Sequence, residues 1–289
     1  MTLDINTNLN SLNAQRNLSM SQSSLSTAMQ RLSSGLRVNS AADDAAGLSI
    51  AQRMTAQVNG MTVAGRNAND AISMSQTAEG ALGSVGDLFQ RMRELAVQSA
   101  NATNSSSDRD SLNQEFTQLA QEATRTLGGT QFNGQSILST TGDSTFQIGA
   151  NNSTDIDQIT VKGFSWGATT GLSNVLGTAV LTGTDTPTVQ INGTDGTNAQ
   201  AAISKLDDAI AAVNTQRSAY GAVENRFNNV VSNLQTSTTN QSAAMSRIMD
   251  ADYAVETSNL SRANILQQAG NAMVAQANQL PQQVLALLR

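Results

Sequence analysis

The 289-residue chain contains no cysteine and no histidine. Without histidine, the usual general base near neutral pH is missing. Ser-His-Asp and Cys-His nucleophile systems and His- or Cys-ligated zinc sites are excluded. Without cysteine no disulfide forms, and stability outside a cell would have to come from elsewhere, such as contacts in a polymer. Aromatic residues make up only 3%. Carboxylate-only chemistry of the glycosidase kind is usually set in aromatic-lined clefts, and these residues are too few to line one. Proline occurs twice, which leaves long helices uninterrupted. Basic runs are absent and the net charge is −6, which argues against nucleic acid. No apolar run reaches the length of a membrane span. The start, Met1-Thr2-Leu3-Asp4-Ile5-Asn6, lacks the basic-then-apolar order of a secretory signal. The composition points to a non-enzymatic protein that carries no cofactor or metal.

What is present is helical periodicity at both ends. Ala263, Leu266, Gly270, Met273, Ala277, Leu280, Val284 and Leu287 step by three and four, as one seam of a supercoiling helix does. Leu18, Leu25, Met29, Leu32 and Leu36 keep one frame near the N-terminus, with Gln22 as its polar member. Ile5, Leu9 and Leu12 form a shorter seam in another frame. These seams either pair with each other or meet neighbouring subunits. A lone pair of such helices has little core, so both ends are expected to order only on polymerisation.

A helix of roughly 50 Å is expected over residues 2–35, stopping at Gly35. A polar connector follows, with Asp43 and Asp44 at the start of the next helix. Residues 45–100 read as one helix whose frame changes near Ser75, from Ala51, Met54, Val58, Met61, Gly65, Ala68 and Ile72 to Ala78, Leu82, Val85, Phe89, Met92 and Ala96. Ser107 or Asp108 is expected to cap a third helix that carries Leu112, Phe116, Leu119 and Ala123 and ends at Gly128-Gly129. Asn133-Gly134 marks a hairpin turn.

Residues 139–197 are rich in Thr, Gly, Ser, Asp and Asn. Strands are expected at 145–148, 158–161 and 188–191. Helix resumes at Asn198 with Ile203, Leu206, Ile210, Val213, Tyr220, Phe227, Val231 and Leu234 on one seam, and Arg217 and Glu224 in its polar slots. The Ser/Thr-rich stretch 235–246 is expected to fray or bend, 247–254 to be a connector, and Pro281 to kink the last helix or start a new one. Methionines at seam positions, such as Met54, Met61, Met92 and Met273, read as core filling. Asp43-Asp44 and Asp250 with Asp252 read as helix caps rather than a calcium site.

The expected fold class is mainly α, a long antiparallel helical bundle or coiled coil from the N- and C-terminal segments with a small central β element. The expected division is 1–44 with 246–289, 45–138 with 198–245, and 139–197.

Several runs closely resemble the bacterial flagellin family. They are Leu32-Ser-Ser-Gly-Leu-Arg-Val-Asn-Ser-Ala-Ala-Asp-Asp-Ala-Ala-Gly47, Arg66-Asn-Ala-Asn-Asp70, Gln90-Arg-Met-Arg-Glu-Leu-Ala-Val-Gln-Ser-Ala-Asn101, Gln131-Phe-Asn-Gly134 and Leu280-Pro-Gln-Gln-Val-Leu-Ala-Leu-Leu-Arg289. The resemblance covers roughly 1–138 and 199–289. It implies an extracellular subunit of the flagellar filament, exported unfolded through the flagellar type III channel and assembled at the tip. The terminal segments would form an inner tube and the long helices an outer tube. Implied partners are sister flagellin subunits, an export chaperone at about 250–289, the filament cap, hook-associated proteins and the vertebrate toll-like receptor for flagellin. The residues matching the receptor-contact motif are Arg91, Leu95 and Glu115; on charge alone Arg91 and Glu115 read as a solvated or inter-subunit pair. The short middle implies reduced or absent outer domains. The alternative within the same apparatus is a hook–filament junction protein.

Overall fold

The structure, a computed structural model, describes residues 8–179 and 186–287, with only the backbone described for 280–287. It contains six α-helices in the described residues: α1 (Leu9–Ser34), α2 (Ala45–Ser99), α3 (Ser106–Gly129), α4 (Thr170–Leu176), α5 (Thr197–Met249) and α6 (Tyr253–Leu287). Four short strands lie between α3 and α4: β1 (Gln131–Phe132), β2 (Gln135–Ser136), β3 (Ser144–Gln147) and β4 (Gln158–Val161). They form two separate antiparallel pairs, β1 with β2 and β3 with β4. The chain divides into two compact units, Met1–Val58 with Thr239–Arg289, and Asn59–Thr238.

In the first unit, α1 begins where the Asn8 side chain accepts from the Ser11 N–H. It ends at Gly35, whose φ of 72° is the left-handed conformation that suits glycine best. The connectors are zipped by backbone: Arg37 N–H donates to Met249 O, and Ala251 N–H to Gly35 O. Leu36 pairs with Asp250 in this bridge, so it lies beyond the helix and not on a helical seam. Asp44 accepts from the Gly47 N–H at the head of α2, and Asp252 from the Ala254 and Val255 N–H groups at the head of α6, so both act as helix caps. α1 and α6 are helical over the described residues, with the Asn8, Gly35 and Asp252 caps at their ends and with each other alongside. Ile5 lies outside the described residues.

The second unit holds the core. Phe89, Met92, Leu82 and Val85 of α2 meet Phe116, Ala120 and Leu127 of α3 and Leu206, Val213 and Phe227 of α5. The second frame read along α2 is buried in full. Ser75, where the frame changes, is also buried; its hydroxyl donates to Ala71 O within the helix, so the polar atom is satisfied without a partner helix. Phe146 of β3 meets Phe227 edge-on, with ring centroids 5.7 Å apart. Asn133 (φ 50°) and Gly134 (φ 77°) make the tight turn between β1 and β2.

Several expectations are corrected. Residues 188–191 form no strand; Val189 and Ile191 are buried in irregular chain, bonded to Val175 O and the Asn113 side chain. The helix α4, with Leu172, Val175 and Leu176 in the core, was not foreseen. α5 runs unbroken through 235–246 to Met249, and the connector shrinks to 250–252. Hydroxyl groups in that stretch bond back to their own helix, as Thr236 does to Ser232 O, which removes their cost. α6 continues through Pro281, so no new helix starts there. The cap of α3 is Ser105, two residues before Ser107 and three before Asp108, with Asp108 returning the bond in a capping box. Arg109 also gave no signal in sequence. It is buried and donates to three backbone carbonyls, Ser99, Asn101 and Thr194, tying the end of α2 to the segment ahead of α5.

Phe227→Ala is expected to cost about 3–5 kcal/mol, because a fully buried ring leaves a cavity. Urea unfolding followed by circular dichroism should show this as a lower midpoint. The Ser105 hydroxyl, and next its N–H, hold the Asp108 carboxyl below its ordinary 3.8. A carboxyl lowered by folding stabilises fully above 3.8 and loses that contribution as pH falls through its folded value. Asp108→Asn is therefore expected to flatten the acid limb of the stability–pH curve below about pH 4 relative to the parent, a difference that a pH series of thermal melts would reveal.

Candidate assembly surface

α1 and α6 run antiparallel against each other. Asn8 donates to Ala277 O at 2.7 Å, the Ser11 hydroxyl to the Asn278 side chain at 2.7 Å, and the Tyr253 hydroxyl to Leu32 O at 3.4 Å at the other end. The buried or half-buried line on α1 is Ser11, Ala14, Leu18, Ser21, Leu25, Ala28 and Leu32. On α6 it is Glu256, Leu260, Ala263, Gln267, Gly270, Val274 and Ala277. Both lines keep the three-and-four spacing, but small residues hold the tightest places. Leu18 lies against the bare backbone of Gly270, where an added Cβ would come within 3.1 Å of its Cδ1.

This placement divides the seam residues read from sequence. Leu18, Leu25 and Leu32 take part in the pairing, as do Ala263, Gly270 and Ala277. Gln22 and Met29 give way to Ser21 and Ala28, one position earlier in the same heptad. Met29, Leu266 and Met273 lie outside the contact, as do Leu9 and Leu12, so Met273 fills no core within one subunit. Two members of the outward set, Met20 and Ile265, were missed, because a single-seam template assigns each helix only one apolar face. These seven outward side chains are between 46% and 66% exposed, too much for ordinary scatter along two helices. A groove of about 470 Å3 runs beside Leu266 and Met273, walled also by Asn10, Asn13, Asn17, Leu18 and Gly270. The side chains of Leu280, Val284 and Leu287 lie outside the described ones.

In the second unit, Arg91 and Glu115 form an exposed ion pair at 2.8 Å, and Arg91 also reaches Glu94 at 2.9 Å. Glu115 first, then Glu94, raise the arginine above its ordinary value. Leu95 does not share that surface: it is 1% exposed and belongs to the core beneath. Along α2 and α5, Arg93 pairs with Asp207 at 2.6 Å, and Arg217 with Glu79 at 3.4 Å. Gln76 donates to Glu224 at 2.8 Å. Arg217 and Glu224 thus face polar residues of α2, as their slots in the seam require.

Among the described residues no cluster of acidic side chains could hold a metal ion, and no helix is long and apolar enough to cross a membrane. What this chemistry offers is shape, apolar area and weak surface charge pairs.

Comparison with known proteins gives a consistent result. A family model described as the bacterial flagellin N-terminal helical region matches residues 5–143, and one described as the C-terminal helical region matches 203–288. The chain is 46% identical over 286 residues to a flagellin of Halalkalibacterium halodurans, covering 99% of each. It is 47% identical over 319 aligned positions to a flagellin of Xenorhabdus nematophila, again covering 99% of each. A crystal structure of Bacillus cereus flagellin aligns with 62% of this chain and 94% of its own, at 35% identity and a TM-score of 0.47.

Proposed function

The chain belongs to the bacterial flagellin family and is a short structural subunit of the flagellar filament; from that premise we propose how its surfaces are used. The outward apolar flanks of the α1–α6 pair are the assembly surface. They carry Leu9, Leu12, Met29, Leu266 and Met273 together with Met20 and Ile265. The observation that supports this is the set of large apolar side chains left over: these seven stay 46–66% exposed on the flanks, although Leu18, Leu25, Leu32, Leu260 and Val274 turn to the partner helix beside Ala28, Ala263, Gly270 and Ala277. Sister subunits cover those seven side chains, each gaining on the order of 1 kcal/mol or more from burial. Ile5, Leu280, Val284 and Leu287 are assigned to assembly from their sequence spacing alone, while Leu18, Leu25 and Leu32 hold the pair together and Leu36 braces its connector.

The filament has three parts. Residues 1–44 with 246–289 line its inner tube, 45–138 with 198–245 form the outer tube, and 139–197 are a reduced outer region. The subunit leaves the cell unfolded and is extracellular. An export chaperone takes the segment 250–289, whose apolar side chains are those later covered in the polymer. The cap and the hook-associated proteins meet the same ends. The vertebrate toll-like receptor for flagellin meets Arg91 and Glu115, with Leu95 supporting their backbone from below.

Two experiments test this reading. Leu266→Asp and Met273→Asp place charges on the outward flanks and spare the intramolecular contact. Each is expected to keep the far-ultraviolet dichroism of the parent and to lose seeded filament growth in electron micrographs. Normal fibres from either variant would sink the assembly surface. Arg91→Ala and Glu115→Ala remove an exposed pair, so thermal midpoints should hold within error. In a receptor-reporter assay their potency should fall. Unchanged potency would remove the receptor contact and leave the filament role standing.

A further inference from the structure

The ten methionines of this chain fall into separate environments. Met74 and Met92 are buried in the core of the second unit, at 7% and 0% exposure. Met20, Met29 and Met273 stand out in water at 60%, 56% and 64%, each on a flank of the α1–α6 pair outside its contact strip. We propose that Met20, Met29 and Met273 are oxidation sites through which a peroxide or hypohalous acid stops a free subunit from joining a polymer. This deepens the reading of those flanks as the assembly surface and rests on it.

The composition directs the chemistry. Two-electron oxidants react fastest with thiolates and then with thioethers, and this chain has no cysteine to intercept them. Histidine is absent, lysine occurs only at 162 and 205, and the one tryptophan, Trp166, is buried. The exposed thioethers are therefore the first groups an oxidant meets. With hydrogen peroxide, a sulfur lone pair attacks one oxygen, and the S–O bond forms as the O–O bond breaks. Sulfur loses two electrons, and the peroxide is reduced to water as the proton shifts to the leaving oxygen. The product, methionine sulfoxide, replaces a flexible apolar side chain with a polar, chiral one.

The consequence follows from position. A sulfoxide on an exposed helix face is hydrated and leaves the subunit folded. The same group pressed against a sister subunit has to shed that water without a designed partner. Each such sulfoxide is expected to slow productive addition by about tenfold, the scale of one unmade buried hydrogen bond. Subunits already in a filament have these sulfurs covered and are spared. Oxidative damage is thus sorted at entry to the polymer, and a methionine sulfoxide reductase supplied with a thiol reductant reverses it on free subunits, the sulfoxide oxygen leaving as water while two thiols become a disulfide.

The test uses full-length monomer treated with dilute hydrogen peroxide, quenched, and added to untreated filament seeds. Peptide mass mapping should place the first oxygen additions at 20, 29 and 273, with 74 and 92 unmodified. Elongation by treated parent protein should fall at least tenfold and recover after incubation with the reductase and its thiol reductant. The variant Met20→Leu/Met29→Leu/Met273→Leu should elongate equally well with and without treatment, whereas Met74→Leu/Met92→Leu should remain as sensitive as the parent. Normal elongation by the oxidised parent, or equal loss in the triple leucine variant, overturns the inference. Failure of the untreated parent to elongate would instead overturn the assembly reading, and this inference with it.

Discussion

Two helices laid side by side can cover only one narrow strip of each other. That geometric limit governs the first unit. In their contact strip, α1 and α6 alternate Leu18, Leu25, Leu32, Leu260 and Val274 with Ser11, Ala14, Ser21, Ala28, Ala263, Gly270 and Ala277, which are small enough to let the backbones approach. Close approach leaves the other large side chains on the flanks. A soluble monomer would gain by keeping those flanks polar, yet Met20, Met29, Ile265, Leu266 and Met273 occupy them. The pair is thus incomplete in burial. The second unit shows the contrast: with four helices and two small hairpins it encloses Phe89, Phe116 and Phe227 completely and needs no neighbour to do so.

Much of this was legible in the sequence, for identifiable reasons. Helices with long three-and-four spacing and few prolines stood out, and their bounds at Ser34, Ala45, Ser99 and Thr197 fell close to the expected places. The Asn133-Gly134 turn was legible because two consecutive positive φ values demand those residue types. The corrections share one cause. Local rules assign status to a residue from its type, whereas burial depends on what the fold brings opposite. Thr and Ser at 235–246 looked like breakers, but a helix absorbs their hydroxyl groups on its own carbonyls. Thr188–Ile191 looked like a strand, but among the described residues no strand pairs with it. Arg109 looked like any surface cation, and only the tertiary structure gathers three carbonyls around it.

The assembly surface was half legible. Sequence periodicity finds the frame in which apolar residues recur, but it cannot tell the side turned to a partner helix from the side left over. At residues 28 and 29, and at 273 and 274, the two candidates are adjacent, and the choice turns on size. The smaller residue at 28 and the β-branched one at 274 go inward, and both methionines go outward. Size therefore carried information that hydrophobicity alone did not: in a close-packed two-helix pair, a large apolar residue on a flank marks a surface meant for something else.

The polar slots of the long helices add a separate argument about specificity. Arg217 and Glu224 are seven residues apart on α5 and face Glu79 and Gln76 on α2. Exposed pairs of this kind add little to stability. Their value lies in the alternatives they oppose. A seam of Ala, Leu and Val tolerates sliding by one heptad, because one apolar contact replaces another. Here a slide of one heptad would carry Glu224 into the place of Arg217, setting carboxylate against the carboxylate of Glu79, and would strand Arg217 among apolar neighbours. The cost falls on the wrong register rather than in favour of the right one. A protein whose surfaces must repeat identically from copy to copy depends on that discrimination more than on raw stability, and a pair of weak polar contacts in an otherwise slippery seam is enough to supply it.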